Sequence, residues 1–418
     1  MKETKFKDTE IGKIPEEWEI YPLSSIVSDM ADGPFGSNLK TEHYISEKQV
    51  RVVQLSNIGD DGWHDSNTKY TSFTHASTLS RCIIPTGSVL IAKMMPAGRA
   101  IICPNIDSQY ILGSDVVRIT CNTKVEPKYF VYYTKSKLYL EQISDYTQGS
   151  TRQRTSISKL KTMQIVIPPA KEQHSIASAL TSINNLISSL GKLIEKKKNI
   201  KQGAMQQLLT GQIRLKGFSE PWVKRKLGDN ATIQRGGSPR PIEAYLTTNR
   251  DGINWIKIGD VRPNDKFIRH TAEKIIPEGI SHSRQVYKGD FILSNSMSFG
   301  RPYILDIDGC IHDGWLVIKD YSNTYDMDFL YYILSSNAIF EQYIAMAAGS
   351  SVKNLNKEKV ANVILFAPQS LAEQRAIATI LTKMDNEITA LEAKRAKYEA
   401  IKQGMMQQLL TGKIRLIS

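Results

Sequence analysis

Cysteine is scarce in this chain. Four residues among 418 are cysteines, Cys82, Cys103, Cys121 and Cys310, with no CxxC pair and three of them in one half. Such scattering supplies neither a zinc site nor a disulfide framework and points to a reducing cytoplasm. Long apolar runs are absent as well: nothing approaches the roughly 18 residues that cross a bilayer. The opening Met1-Lys-Glu-Thr-Lys-Phe-Lys-Asp has no apolar core, so no secretory leader is expected. Catalytic signatures are missing too. There is no GxGxxG dinucleotide loop, no GxxxxGKS/T phosphate loop, no HExxH and no GxSxG. The stretch from Gly404 to Gly412-Lys413 has the wrong spacing for a phosphate loop. His43, His64, His75, His174, His270, His282 and His312 form no metal-spaced cluster.

Negative charge is the minority. Lys and Arg total 54 against 42 Asp and Glu, a net charge of +12. The excess divides evenly, +6 in residues 1–211 and +6 in 212–418, so neither half is a basic tail on a neutral body. Positive charge favours a polyanionic partner, because each neutralised phosphate releases a counterion. The composition, 41% hydrophobic and 23% charged, is that of a globular protein with room for two to four domains.

What is present in abundance is repetition. Residues 201–215 read KQGAMQQLLTGQIRL and residues 402–416 read KQGMMQQLLTGKIRL, identical at 13 of 15 positions. Upstream the match thins to landmarks. Glu172-Gln173 faces Glu373-Gln374, Gly149-Ser150 faces Gly349-Ser350, and Glu141-Gln142 faces Glu341-Gln342. Gly98-Arg99 faces Gly300-Arg301, Gly59-Asp60 faces Gly259-Asp260, and Trp18 faces Trp222. This is a tandem duplication whose last 40 or so residues stay alike while the preceding 150 diverge. A surface that binds one partner twice should be kept in both copies, whereas a surface that reads two targets should drift.

The matched segments read as long helices. Ile176, Leu180, Ile183, Ile187, Leu190 and Ile194 alternate in steps of four and three, as do Ile377, Leu381, Met384, Ile388 and Leu391, with Tyr398 following. That heptad keeps one seam toward a neighbouring helix. Pro168-Pro169 and Pro368 mark the starts, and Gly211 and Gly412 stand where left-handed caps are expected. The simplest pairing sets the two helices antiparallel within one chain; homodimerisation through the heptads is the alternative. Gly203 and Gly404 inside these helices cost about 1 kcal/mol relative to alanine, which a close approach by another backbone would explain. A tolerated defect would explain it equally well.

The diverged segments read as mixed α/β globules. Strands are expected at 50–55, 88–92, 115–119 and 164–167, and again at 253–258, 290–293, 314–318 and 360–366. Aromatic helices starting at Lys128 and Asp328 look like core rather than base-stacking surface. Three paired loops hold the polar chemistry: 32–40 with 234–240, 93–99 with 294–301, and 149–156 with 349–356. Glycine-rich backbone can approach phosphates, Arg suits guanine edges, and Gln or Asn suits adenine edges. Ile167-Pro-Pro-Ala170 lacks the polar residue that adenine methyltransferases place before Pro-Pro.

Diverged regions alternating with helices that each end in QQLLTGxIRL, from about Trp18 to Leu416, closely resemble the DNA-specificity subunit of type I restriction–modification systems. The resemblance implies a pseudo-two-fold, α/β (α+β) fold with two target-recognition domains, 1–170 and 212–370. Between and after them lie a central helical spacer, 171–211, and a C-terminal one, 371–418. The spacers would form an antiparallel coiled coil acting as a ruler between half-sites about one DNA turn, ~34–36 Å, apart. Each domain would read one half of an asymmetric duplex site. Expected contacts are Ser37, Asn38, Lys40, Arg99, Arg152, Gln153 and Arg154 on the first half, and Arg235, Ser238, Arg240, Arg301, Lys353 and Asn354 on the second. Two methyltransferase subunits would dock on the helices at Gly203, Met205, Gln206, Gln207, Gly404, Met406, Gln407 and Gln408. Those partners would hold S-adenosylmethionine and flip the target adenines, and motor–nuclease subunits would use ATP and magnesium. This chain would bind no cofactor or metal and make or break no bond, working in the cytoplasm without a membrane. The rival readings are a self-sufficient nuclease or methyltransferase with an unfamiliar site, and a coiled-coil adaptor with no nucleic-acid role.

Overall fold

The computed structural model describes residues 4–94, 96–147, 154–262, 265–295, 299–347 and 355–417. By contact the chain divides into two units, Met1–Leu190 with Lys394–Ser418, and Gly191–Ala393. The sequence division at 170, 211 and 370 follows chain order. Division by contact gives each globular region part of both long helices, Ala170–Leu208 and Leu371–Leu409.

In the first unit one antiparallel sheet runs Val27–Asp32, Val116–Cys121, Val89–Ala92, Ala100–Ile102. A second runs Tyr110–Leu112, Val50–Val53, Tyr70–Thr71, Tyr44–Ile45, its first pair parallel. The strands are short and β-branched, and the central ones are buried on both faces, which is why they read as near-continuous apolar runs. The aromatic helices Pro127–Tyr133 and Lys137–Tyr146 cover the first sheet, with Tyr129, Phe130, Tyr133 and Tyr139 fully buried. They are core, as their spacing predicts.

The second unit repeats this order with one more strand on each sheet. Thr232–Arg235, Trp315–Lys319, Phe291–Ser294 and Pro302–Leu305 gain Phe267–Ile268; Leu246–Thr247, Glu273–Ile275, Ile253–Ile256 and Gly309–Ile311 gain Arg284–Val286. In the first unit that last pairing shrinks to the single bridge Ile83–Ile111. The expected strands 50–55 and 253–258 stop at Val53 and Ile256, before the turns Leu55–Asn57 and Ile258–Asp260, and 360–366 starts late. Val360 and Ala361 end a helix, Lys357–Ala361, because the Asn356 side chain caps it by accepting the Lys359 N–H at 2.9 Å, and the strand starts at Ile364.

The long helices bury most of the heptad positions, with Ile187, Met384, Leu391 and Tyr398 half-buried. Ile176, Leu180, Ile183, Leu190 and Ile194 are buried, as are Ile377, Leu381 and Ile388, each apolar side chain contributing about 1.5–3 kcal/mol when fully covered. Gly211 and Gly412 end them in the left-handed region, φ +71° and +67°. The helices run antiparallel. In the second unit Lys197 pairs with Glu387 at 2.6 Å, Lys198 with Glu392 at 2.6 Å and Lys201 with Asp385 at 2.5 Å. In the first unit Leu409 and Leu410, from the end of the second helix, share a core with Ile176 and Leu180, from the start of the first.

The polar landmarks of the repeat are structural. Trp18 Nε1 donates to Glu172 at 3.0 Å, and Arg415 closes on the same carboxylate at 2.6 and 2.7 Å with its guanidinium 5.7 Å from the Trp18 ring. In the second unit Trp222 donates to Glu373 at 3.1 Å and Arg214 closes on it at 2.8 and 3.0 Å, again 5.7 Å from the indole. Both glutamates are 1% exposed, and the cation and the indole donor satisfy the buried carboxylate. Gln173 and Gln374 are alike as well: each accepts one backbone N–H, from Glu126 or Asp326, and donates to two carbonyls. Gln142 ties the strand at Gln164 through both its N–H and C=O, as Gln342 does at Ile364.

Candidate nucleic-acid interface

The three loops singled out from sequence converge in each unit. In the first, the Gly33 N–H donates to Val116 O at 3.0 Å, the Lys93 N–H to Asp115 O at 2.9 Å, and the Thr155 N–H to Lys93 O at 2.9 Å. In the second, Gly236 donates to Trp315 O at 2.9 Å, Asn295 to Gly314 O at 3.0 Å, and Leu355 to Asn295 O at 3.0 Å. The same backbone stitch therefore gathers the same three loops around position 93 in one unit and 295 in the other.

The side chains at the stitch differ. Lys93 is 5% exposed and its ammonium binds the Asp32 carboxylate. Asn295 is neutral, and its amide donates to Asp313 O at 2.9 Å. Asp313 is a hub in its own right, accepting from Ser238 Oγ at 3.0 Å and lying 3.8 Å from Arg240 and 3.4 Å from His312. Burial alone would raise the Asp313 carboxyl, but hydrogen bonds from Ser238 and His312 hold it below the usual carboxylate range. Burial pushes His312 down despite Asp313, which favours the neutral ring. Sequence reading placed Asp32, Lys93 and Asn295 inside the loops and left out Asp115 and Asp313, and it missed all five as organisers.

Ser37, Asn38 and Lys40 share one exposed loop in the first unit, with Lys40 3.7 Å from Glu42. Arg154, bridged to Met94, reaches Asp115 at 2.8 Å. Arg99 is half-buried and 3.6 Å from Asp60. In the second unit Arg235 donates to Asp313 O at 3.2 Å, Arg240 is exposed, and Arg301 is exposed beside Ser294, whose hydroxyl accepts the Arg301 N–H at 3.0 Å. The pairs of Lys40 with Glu42 and of Arg240 with Asp313 face solvent and are weak. Arg152, Gln153, Lys353 and Asn354 lie outside the described residues.

Two glycines expected to approach phosphates do something else. A Cβ on Gly33 would stand 1.8 Å from Gly113 O, and one on Gly236 2.0 Å from His312 O. Their role is close packing against the chain's own backbone, which seats the loop. Gly98 and Gly300 turn the second loop at φ +82° and +74°, their missing side chains replaced by Ile143 and Tyr343.

On the helices, Gly203, Gln206, Gln207 and Gln407 are exposed, while Gly404 and Gln408 are half-buried. Met205 and Met406 pack partly against the cores of the second and first units. Among the described residues, no atom beyond each helix's own backbone lies within 4 Å of a Cβ built on Gly203 or Gly404. Of the two explanations for these glycines, a close backbone approach is not made among the described residues of this chain. Leu186, Leu193 and Ile200 are likewise exposed. Among the described residues no group of His, Cys, Asp and Glu could hold a metal ion, and no helix is long and apolar enough to cross a membrane.

A duplicated α/β scaffold that seats unlike side chains on one backbone frame is a recognition device. Its sequence matches the model of the type I restriction modification DNA specificity domain twice, over residues 15–202 and 219–403, and the chain belongs to that family. It is similar to two specificity subunits of Methanocaldococcus jannaschii type I restriction enzymes. One, MjaX (described as putative), is 26% identical over 99% of this chain and 98% of the relative; the other, MjaVIII, is 24% identical over 99% and 97%. The fold matches the S subunit of a type I restriction–modification system from M. genitalium, with TM-score 0.59, 17% identity and coverage of 94% of this chain and 96% of that one. It also matches a chain from a structure addressing complex assembly and conformational transition of the type I system, with TM-score 0.60, 18% identity and coverage of 96% and 99%. As a family member this chain is a specificity subunit, serving a restriction–modification complex without catalysis of its own.

Proposed function

We propose that each unit reads one half of a bipartite, asymmetric duplex DNA site. The observation that carries this reading is the shared stitch, in which equivalent backbone bonds present a Lys93–Asp32 pair in one unit and an Asn295–Asp313 pair in the other. Frame and readout are thereby separated: phosphate contacts set register while the loop side chains choose bases. Two methyltransferase subunits dock where the helices carry Gly203, Met205, Gln206 and Gln207, and Gly404, Met406, Gln407 and Gln408. Motor–nuclease subunits join for restriction. S-adenosylmethionine, ATP and magnesium belong to those partners, and the assembly works in the cytoplasm.

The test is an exchange. Replacing residues 1–165 by the matching region of a relative and mapping methylated adenines in cells that express the assembled methyltransferase should change one half of the site and leave the other. A change in both halves, or in neither, rules the reading out.

A further inference from the structure

Phe35 is 84% exposed, well beyond the next large apolar side chain among the described residues, Ile106 at 60%. The fold gains almost nothing from a ring held so far into water. Yet the loop beneath it is held at both feet. Gly33 is pressed on Gly113 O and hydrogen-bonded to Val116 O, Pro34 is buried, and Leu39 is 9% exposed. Between these anchors the Asn38 N–H closes a turn onto Phe35 O at 2.8 Å, and His75 Nε2 contacts Asn38 O at 3.0 Å. The chain thus spends an ordered turn on presenting a bare aromatic ring, flanked by the exposed polar side chains of Ser37, Asn38 and Lys40.

We propose that Phe35 is a specificity-determining residue of the first half-site and that its ring contacts the 5-methyl group of a thymine in the major groove. The inference rests on the DNA-reading role of the first unit. It follows from the chemistry of base edges. A phenyl ring has no hydrogen-bond donor, and the apolar group on base-pair edges in the major groove is the thymine methyl, which Phe is suited to contact. The equivalent loop of the second unit, Arg235-Gly-Gly-Ser-Pro-Arg240, carries no aromatic residue, so this contact belongs to one half only.

The experiment selects binding sites from a randomised duplex library with the full chain, alone and assembled with adenine methyltransferase subunits. Wild type should enrich a two-part site with a thymine in one half. In that site, replacing the thymine by uracil, which removes only the methyl, should weaken wild-type binding about fivefold, as expected for losing one buried methyl-sized contact. Phe35→Ala should bind the thymine and uracil duplexes equally, both about fivefold more weakly than wild type binds thymine, and should keep its preferences in the other half. Because the ring is exposed, the Phe35→Ala chain should melt within about 1 °C of wild type, which separates a contact from a folding defect. A Phe35→Ala chain that still discriminates thymine from uracil, or a wild type that does not, overturns the inference alone. A wild type that enriches no site in either form overturns the DNA reading and the inference with it.

Discussion

At matching register positions the first unit buries Arg51 and Arg118 where the second has the half-buried Asn254 and the buried Val317. Arg118 reaches Asp29 at 2.6 Å and Arg51 reaches Asp65 at 2.9 Å, each carboxylate standing at the rim of the fold. The second unit has no need of either ion pair. By contrast the Glu–Trp–Arg clasps, Glu172 with Trp18 and Arg415, and Glu373 with Trp222 and Arg214, agree to within about 0.3 Å in their hydrogen bonds. The difference teaches where duplication has been free to drift. A sheet interior can be filled by a charged pair or by an aliphatic side chain, as long as volume and polar satisfaction are kept. The junction of domain and helix is held by one solution, used twice.

The largest effects test the shared solution. Glu172→Ala and Glu373→Ala should each destabilise the unit that contains the substitution by about 3–5 kcal/mol, because a buried indole N–H and a half-buried arginine lose their shared acceptor. Urea unfolding of the full chain followed by hydrogen exchange should report the loss in the first unit for one variant and in the second for the other. Unequal losses would break the equivalence of the clasps. Val317→Arg imports the first unit's cation without its acid, since Thr232 stands where Asp29 would be. It should cost a similar 3–5 kcal/mol by the same measurement.

Next come the seats of the loops. Gly33→Ala and Gly236→Ala should each cost about 1–3 kcal/mol, since the added methyl meets a carbonyl oxygen inside van der Waals distance. Both should weaken duplex binding as well; melting temperature and DNA titration together check this. A variant that keeps full stability would show that the backbone frame is looser than described.

The helix glycines should behave in the opposite sense. Gly203→Ala and Gly404→Ala meet open space, so each should stabilise by up to about 1 kcal/mol. If these faces receive methyltransferase subunits, the same variants should weaken assembly, read by co-purification with the methyltransferase, while leaving binding to random duplex DNA unchanged.

Smallest is Arg118→Val, which gives the first unit the second unit's side chain. Stability at neutral pH should change by no more than about 1 kcal/mol, as replacing a buried ion by a packed apolar group is often near neutral. Its pH profile should differ. The hydrogen bond from Arg118 holds the Asp29 carboxyl below its ordinary value. The pair's contribution is therefore present above the ordinary carboxylate pKa and is lost as pH falls through the lowered one. Thermal melts should show that acid-side loss in wild type and not in Arg118→Val.

Much of this architecture was legible in the residues. Heptad spacing from Ile176 to Ile194 located a helix whose ends the prolines and Gly211 marked, and the matched Trp, Glu, Gln and Arg positions proved to be one polar junction. What could not be read was which partner each would find. Arg415 and Glu172 are 243 residues apart, and nothing local links them. The loops were found by glycine and charge, but their organising centre was not, because Lys93 and Asn295 share neither charge nor size and their common role lies in backbone bonds. Gly33 and Gly236 misled for a related reason. A glycine needed for close approach looks the same in sequence whether the approaching group is a phosphate or a carbonyl of the same chain.

The clasp at Arg415 also sets an order of events during synthesis. Everything in the second unit, from Gly191 to Ala393, has left the ribosome before the segment from Lys394 onward that completes the first unit. Although its sheets are translated earlier, the N-terminal globule waits for the segment after Lys394 to supply Leu409, Leu410 and the cation that pairs with Glu172. A chain interrupted shortly before that stretch would carry a finished second reader beside a first one whose buried carboxylate has no counter-charge.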